Sequence, residues 1–428
     1  MELKLKYVNR IKSADMKLNG LTVVVGPNNS GKSTIGRTLY SIVKAIANTK
    51  MASEDDNEAR LRRHIDSLYS RLRGLRFSSN REGLTSSFPR NSADFLAHLK
   101  GSADAQSFIK ERMSFIEDLD IVPRQKKLFM EDLTNIEICL TNEENPAANL
   151  RTELQYLIES EFLNAFCSVG DGATLVELFS EGSSKIEYTA RQNSVDSVRY
   201  DGSGFIEDAT YIESPLYIHL IDAILRSRNY RETEGFPGMF NTMVPSHIKD
   251  MAEKIMNAAR HPIDQKAFSL MDVSSIIGGK FVYDRDSHQI VFKEGKNRYT
   301  TINVASGIKC FGIIDLLESA NFIGPNRLLI WDEPENHLHP EWQVVFAEKL
   351  VKLAKEGVPV LVTTHSPYFL QSIRYHAGKV KLTNYVNYYM PEVGDDQLST
   401  VVDVTDDLTG VFERLTEPLG AIMDDHVE

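Results

Sequence analysis

No other stretch limits the fold as much as LTVVVGPNNSGKST, residues 21–34. Leu21 to Val25 read as a strand buried on both faces, and Gly26 and Pro27 end it. From Ser33 onward Ile35, Leu39, Ile42, Val43 and Ile46 recur at spacings of three and four, the period of a helix with one apolar face. Strand, glycine-bearing loop and helix in that order are the setting in which GxxxxGK[ST] binds phosphate, and Gly26 to Ser33 fit that pattern. Gly26 and Gly31 let the backbone curl around a phosphate chain, whose charge meets amide N–H groups and the positive end of the helix. The expected nucleotide contacts are Gly26, Pro27, Asn28, Asn29, Ser30, Gly31, Lys32, Ser33 and Thr34, with Lys32 on the β- and γ-phosphates and Ser33 on Mg²⁺.

Hydrolysis at such a loop asks for a neighbouring strand that ends in carboxylates. LLIWDEPENHLHP, residues 328–340, supplies one: Leu328 to Trp331 form the strand, Asp332 is the expected Mg²⁺ carboxylate and Glu333 the expected general base. A rival reading takes Asp332, Glu335, His337 and His339 as a metal cage. The histidines stand two apart before Pro340, whereas catalytic zinc motifs place them four apart on a helix, so the strand reading is preferred. A third apolar run, VLVTTHSP at 360–367, delivers Thr363, Thr364, His365 and Ser366 to the same sheet edge, and His365 is expected to hydrogen-bond the γ-phosphate.

Around these motifs the chain divides. Short strands are predicted at 2–8 and 12–18, a strand at DATYIE (208–213), helices near 216–227 and 246–276, and hairpin strands at GKFVYD, HQIVFK and RYTTI. From 306 to 376 helix and apolar strand alternate, as in a parallel α/β sheet. Residues 49–205 read as an insertion of polar helices followed by alternating stretches such as SKIEYTA, without the sustained heptads of a coiled coil. Within it, Leu61, Ile65, Leu68, Leu72 and Leu75 make one helix stripe, while Arg60, Arg62, Arg63, Arg71, Arg73, Arg76 and Arg81 face a single Asp66, a pattern open to a solvated face or to an acidic or nucleic-acid partner. The net charge of −12 argues against coating nucleic acid over the whole surface. Three scattered cysteines suggest buried thiols rather than disulfides or zinc, and no apolar run is long enough to span a membrane; a cytoplasmic protein is expected.

GPNNSGKS, WDEPENHLHP and TTHSP resemble the Walker A, the Walker B with D-loop, and the H-loop of ABC-type ATPases related to SMC proteins and OLD-family nucleases, over about residues 1–48 and 208–410. The resemblance implies an α/β fold: an ABC-type P-loop NTPase head with a mixed or parallel sheet, split into 1–48 and 206–410 by a mainly helical insertion at 49–205, with an acidic tail at 411–428. It implies Mg²⁺-dependent ATP hydrolysis by Lys32, Glu333 and His365, with Ser33 and Asp332 on the metal. It also picks out NVASGIKCFG as the signature motif, where Ser306 and Gly307 of one copy complete the site of another, and Glu335, Asn336 and His337 as the D-loop at that interface. A homo-oligomer, at least a dimer, follows. Glu213 stands near the family's Q-loop position. Too few residues follow the head for the Toprim domain of OLD nucleases, so the chain is similar to the stand-alone ATPases of bacterial anti-phage systems such as the PARIS and Septu subunits. By that analogy it works with a separately encoded effector, expected to be a nuclease, and answers to a nucleic-acid or phage-protein trigger. The alternatives are an SMC- or RecF-like repair factor that binds DNA directly, and the motor of a transporter.

Overall fold

The computed structural model describes residues 1–54, 57–75, 87–101, 104–119, 121–141, 146–163, 165–168, 172–180, 183–201, 206–227, 244–262 and 272–424. Its strands are β1 (Glu2–Val8), β2 (Ile11–Lys17), β3 (Leu21–Val25), β4 (Thr174–Ser180), β5 (Ser183–Arg191), β6 (Ser194–Tyr200), β7 (Asp208–Ile212), β8 (Lys280–Asp284), β9 (Gln289–Glu294), β10 (Asn297–Thr300), β11 (Arg327–Asp332), β12 (Val360–Thr364), β13 (Val386–Val393) and β14 (Ser399–Asp403). The helices are α1 (Lys32–Glu54), α2 (Asn57–Leu75), α3 (Ser92–Gly101), α4 (Ala105–Asp118), α5 (Pro123–Thr141), α6 (Pro146–Phe162), α7 (Ile221–Arg226), α8 (Ser246–Arg260), α9 (Val273–Ile277), α10 (Ser306–Ser319), α11 (Pro340–Lys355), α12 (Pro367–Lys379) and α13 (Leu408–Asp424).

Among the described residues the large sheet runs β6-β5-β4-β1-β2-β14-β13-β3-β12-β11-β7. From β13 through β3, β12 and β11 to β7 every pairing is parallel. All five residues of β3 and of β12 are buried, because parallel strands are covered on both faces. β14 pairs antiparallel with β13 and parallel with β2, and from β2 outward through β1, β4 and β5 to β6 the sheet is an antiparallel wing. In β1, Leu3, Leu5 and Val8 are buried while the residues between them reach toward solvent, the alternation of a sheet with one wet face. Ile35, Leu39, Ile42, Val43 and Ile46 of α1 are all buried, as their spacing predicts. β8, β9 and β10 form a separate small antiparallel sheet.

The expected division of the chain needs correcting. It falls into two compact units: residues 1–47, 157–226 and 245–428 form one, and 48–156 with 227–244 the other. The alternating stretches placed in the insertion are β4 to β6, which extend the large sheet outward from β1. An amphipathic run needs a paired edge to satisfy its backbone, and β1 offers one. The helix expected over 246–276 ends at Arg260, with a short helix at Val273–Ile277; residues 263–271 lie outside the described ones. The expected acidic tail is α13, with Val411 buried, and only 425–428 lie outside the described residues.

The second unit has its own core, in which the stripe Leu61, Ile65, Leu68 and Leu72 packs with Phe95, Phe108 and Phe129. Arg71 of that helix turns inward to Asp132 at 2.8 Å. Arg76 and Arg81, and the side chains of Arg60, Arg63, Arg73 and Leu75, lie outside the described residues. Cys139 and Cys310 are buried, Cys167 is half-buried, and none of the three forms a disulfide. No described helix is long and apolar enough to cross a membrane.

Candidate active site at the carboxyl edge of the sheet

Parallel register brings the sequence motifs to one edge. Val25 lies beside Thr364, Thr363 beside Asp332, and Trp331 beside Ile212, so the residues that follow, Gly26, His365, Glu333 and Glu213, emerge together. The loop from Gly26 closes onto β12 through its own N–H, which donates to the Thr364 carbonyl at 3.2 Å. Asn29 and Gly31 take positive φ (64° and 95°), which turns the chain back to start α1. A Cβ on Gly31 would meet Ile11 Cδ1 at 2.5 Å, so close approach as well as conformation selects glycine. Lys32, buried in the first turn of α1, donates from Nζ to the carbonyls of Gly26 (2.9 Å) and Pro27 (2.8 Å). Ser33 follows in the same turn, half-buried, while Thr34 donates to Asn9 Oδ1 at 3.2 Å.

Lys32 also meets Glu333. Nζ and Oε1 are 3.3 Å apart, and His365 Nδ1 lies 3.4 Å from the same oxygen. Asn336 donates to Glu333 Oε2 at 2.8 Å. Burial pushes the Glu333 pKa up, but the Asn336 hydrogen bond and the charges of Lys32 and His365 outweigh it and hold the carboxylate below its ordinary range. Its backbone is left-handed (φ 46°, ψ 56°), uncommon for a residue with a Cβ. Thr363 fixes it there, taking the Glu333 N–H on its carbonyl (3.2 Å) and its hydroxyl (3.1 Å). The same hydroxyl donates to Asp332 Oδ1, and Tyr211 donates to Asp332 Oδ2 at 3.1 Å, so both oxygens of that buried carboxylate are oriented.

Within this chain the Glu335 side chain points inward. Its Oε1 accepts from Thr364 Oγ1 (2.5 Å) and His365 N (3.0 Å), and burial raises its pKa against those two bonds. His337 and His339 have local roles: the His337 carbonyl accepts from Ser306 Oγ at 3.5 Å, and His339 caps α11 by accepting from Glu341 N–H at 3.4 Å. No group of three or more His, Cys, Asp or Glu that could hold a metal ion occurs among the described residues. Ser306 and Gly307 open α10 beside His337 and Trp342; a Cβ on Gly307 would come within 2.9 Å of the indole.

Apart from Glu213, sequence reasoning missed the layer behind the carboxylates. Glu213 reaches Arg37 of α1 (3.0 Å), His247 of α8 (3.1 Å) and Tyr217 (3.3 Å), and the His247 bond, ahead of the burial that opposes it, leads the causes that draw its pKa down to about 2. On its other side His247 is held by Glu161 at 2.6 Å. The register of β7 against β11 was the available signal for Tyr211. Nothing in the spacing announces Glu161 or His247, which are 86 residues apart.

The donors present fit a nucleoside triphosphate with Mg²⁺. The Lys32 ammonium at the start of α1 supplies a cation for a phosphate chain, and Ser33 with the doubly oriented Asp332 offers hard oxygen ligands. A protein-family model described as "AAA domain, putative AbiEii toxin, Type IV TA system" matches residues 240–371. No curated protein matches the chain. Similar solved structures include the SMC head domain from Thermotoga maritima, at 11% identity over 94% of this chain and 98% of that one, with a TM-score of 0.39. Another is an SmcHead bound to the C-winged helix domain of ScpA, at 13% identity over 95% and 98%, TM-score 0.35. A third is the Smc head domain with an extended coiled coil bound to the C-terminal domain of ScpA derived from Pyrococcus furiosus, at 12% identity over 97% and 98%, TM-score 0.33. With its mixed sheet and flanking helices, and with the strand–glycine loop–helix of β3 and α1 opening beside the edge carboxylates, the chain has an α/β fold.

Proposed function

We propose that the protein is a Mg²⁺-dependent ATPase subunit whose nucleotide-gated assembly controls a separately encoded effector, a nuclease, in bacterial defence against phage. The observation that carries the catalytic part is the meeting of Lys32, Glu333 and His365, from three adjacent strand ends, at one point of the sheet edge. Loop amides and Lys32 bind the β- and γ-phosphates, and Ser33 and Asp332 hold Mg²⁺. The metal, when bound, neutralises charge on the phosphate oxygens. Glu333 takes the proton of the attacking water, and His365 orients the γ-phosphate. Transfer of Lys32 from Glu333 to phosphate removes one of the charges that depress the glutamate's pKa, so the base strengthens once substrate is in place.

Ser306 and Gly307 of a second copy complete the site, which makes hydrolysis depend on at least a dimer. The family match over 240–371, to a description that names a toxin system, supports an effector-linked role over direct DNA repair. The inward pairing of Arg71 with Asp132 also takes one arginine from any free basic face. The test is ATP hydrolysis by purified protein. Lys32→Ala is expected to abolish nucleotide binding, and Ser306→Arg to stop hydrolysis while ATP still binds. Phage challenge of cells carrying the gene with its neighbours should lose protection with either variant; protection kept by Lys32→Ala would sink the nucleotide-gated role.

A further inference from the structure

Behind Asp332 lies a cluster that the reaction above leaves unused. Tyr211, in the strand beside β11, is fully buried and gives its hydroxyl to Asp332 Oδ2 at 3.1 Å. Its ring lies on the imidazole of His247, with centroids 4.5 Å apart and planes 25° from parallel. Tyr40 meets both rings, at 6.3 Å from Tyr211 and 6.1 Å from His247. His247 itself is held by three hydrogen bonds. Nδ1 stands 2.6 Å from Glu161 Oε2, the backbone N–H donates to Glu161 Oε1 at 2.9 Å, and Nε2 stands 3.1 Å from Glu213 Oε2.

Carboxylates on both ring nitrogens make both nitrogens donors, so the ring is an imidazolium. Charged groups this deeply buried, with His247 at 0% and Glu161 at 2% exposure, cost folding energy that an apolar ring of the same size would avoid. What the clamped cation adds over an apolar ring is orientation. Two carboxylates set its plane, the stacked tyrosine follows that plane, and the tyrosine's hydroxyl follows in turn. Arg37, on the helix that opens with Lys32, ties Glu213 from the other side at 3.0 Å.

We propose that His247 is a positioning residue: clamped between Glu161 and Glu213, it holds Tyr211 so that the tyrosine hydroxyl sets the Asp332 carboxylate for Mg²⁺. This rests on the ATPase reading and deepens it. Partners that orient a metal ligand from outside are worth about 10- to 100-fold in metal affinity.

A fluorescent ATP analogue, titrated with Mg²⁺ and separately in EDTA, reads this directly. Tyr211→Phe keeps the stack and removes only the hydroxyl; His247→Gln removes the charge. Each should raise the half-saturating Mg²⁺ concentration about tenfold or more while nucleotide affinity in EDTA stays at the wild-type level. Steady-state hydrolysis should show the change in KM for Mg²⁺ rather than in kcat. Because both act through one bond, the double variant should be no worse than the worse single one. Should His247→Gln fail to fold, Glu213→Gln, which loosens one clamp, takes its place under the same criterion. An unshifted Mg²⁺ requirement in Tyr211→Phe, or a shift there that the clamp variant does not share, overturns the relay alone. Wild-type protein that binds no nucleotide in either buffer overturns the ATPase reading and the relay with it.

Discussion

Strand β7 begins at Asp208, while the neighbouring strands β11 and β12 are followed by Glu333 and His365, and the charged clusters around these two places are built differently. At the amino end Asp208 and Asp250 face Lys44 and Lys254 in a closed ring, with N–O distances of 2.6 to 3.0 Å. Lys254 spends its remaining donors on the Ala209 carbonyl (2.7 Å) and Thr210 Oγ1 (3.0 Å). Burial works against the charge of Lys44, but Asp250 and Asp208 outweigh it and its pKa is raised. At the carboxyl edge the contacts are longer: 3.3 Å from Lys32 to Glu333, and 3.4 and 3.7 Å from His365 to Glu333 and Glu335. There Lys32 and Glu335 are as buried as the ring, but His365 keeps 38% of its side chain exposed and Glu333 23%, against 6 to 16% in the ring. Short, closed, desolvated pairing holds a fold together; longer pairing between partly exposed groups leaves ones that a substrate can recruit.

The strongest way to break this contrast is to change one charge at each end. Glu333→Gln should lower ATP turnover by about 10²- to 10⁴-fold, the span of a general base, while the thermal midpoint stays put and ATP-bound assemblies accumulate in size-exclusion chromatography. Normal turnover in this variant would reassign the base. Lys254→Met at the other end leaves Asp208 and Asp250 facing Lys44 alone and should cost about 3–5 kcal/mol in urea unfolding. Turnover of its folded fraction should match the wild type. A collapse of turnover there would mean that the two ends are one functional unit.

How much of this was legible in the sequence follows from the range of the interactions. The loop, β3 and α1 could be read because strand, turn glycine and helix face are each dictated within a few residues. Asp332, Glu333 and His365 could be read because they end apolar runs that a parallel sheet aligns. Strands β4 to β6 of the antiparallel wing were assigned to the insertion because an alternating pattern shows which face of a strand is apolar and not which edge it joins. The bonds of Glu335 were out of reach for a similar reason: its carboxylate turns inward because Thr364 Oγ1 and the His365 N–H supply two donors, which only the register of β12 against β11 reveals. Glu161 and His247 belong to helices whose spacing signals apolar faces alone, so a buried pair between them carries no local signature.

A pH scan sharpens the contrast. In the ring at the amino end Lys44 is raised and Asp208 lowered, in each case by partner charges that outweigh burial, so these two keep their charges over the neutral range. At the other end burial would lower His247, but Glu161 and Glu213 raise its pKa to about 9. A histidine raised in the folded state stabilises fully below its unfolded value of 6.5, and that contribution is lost as pH rises through about 9. Unfolding free energy should therefore fall by roughly 3 kcal/mol between those limits, and His247→Gln should flatten the slope. A wild-type curve already flat over that window would leave His247 without its charge.

The smallest expected effect separates two glutamates two positions apart. Glu335 uses one oxygen to accept from Thr364 and the His365 N–H, while burial pushes its pKa up, so its charge is the part the structure leans on least. A glutamine carbonyl can accept the same two bonds. Glu335→Gln should thus cost no more than about 1 kcal/mol in stability and lower turnover far less than Glu333→Gln does. Equal losses in the two variants would mean that the charge at 335 takes part in hydrolysis, and the division between a working carboxylate and a positioning one would have to be redrawn with Glu335 on the working side.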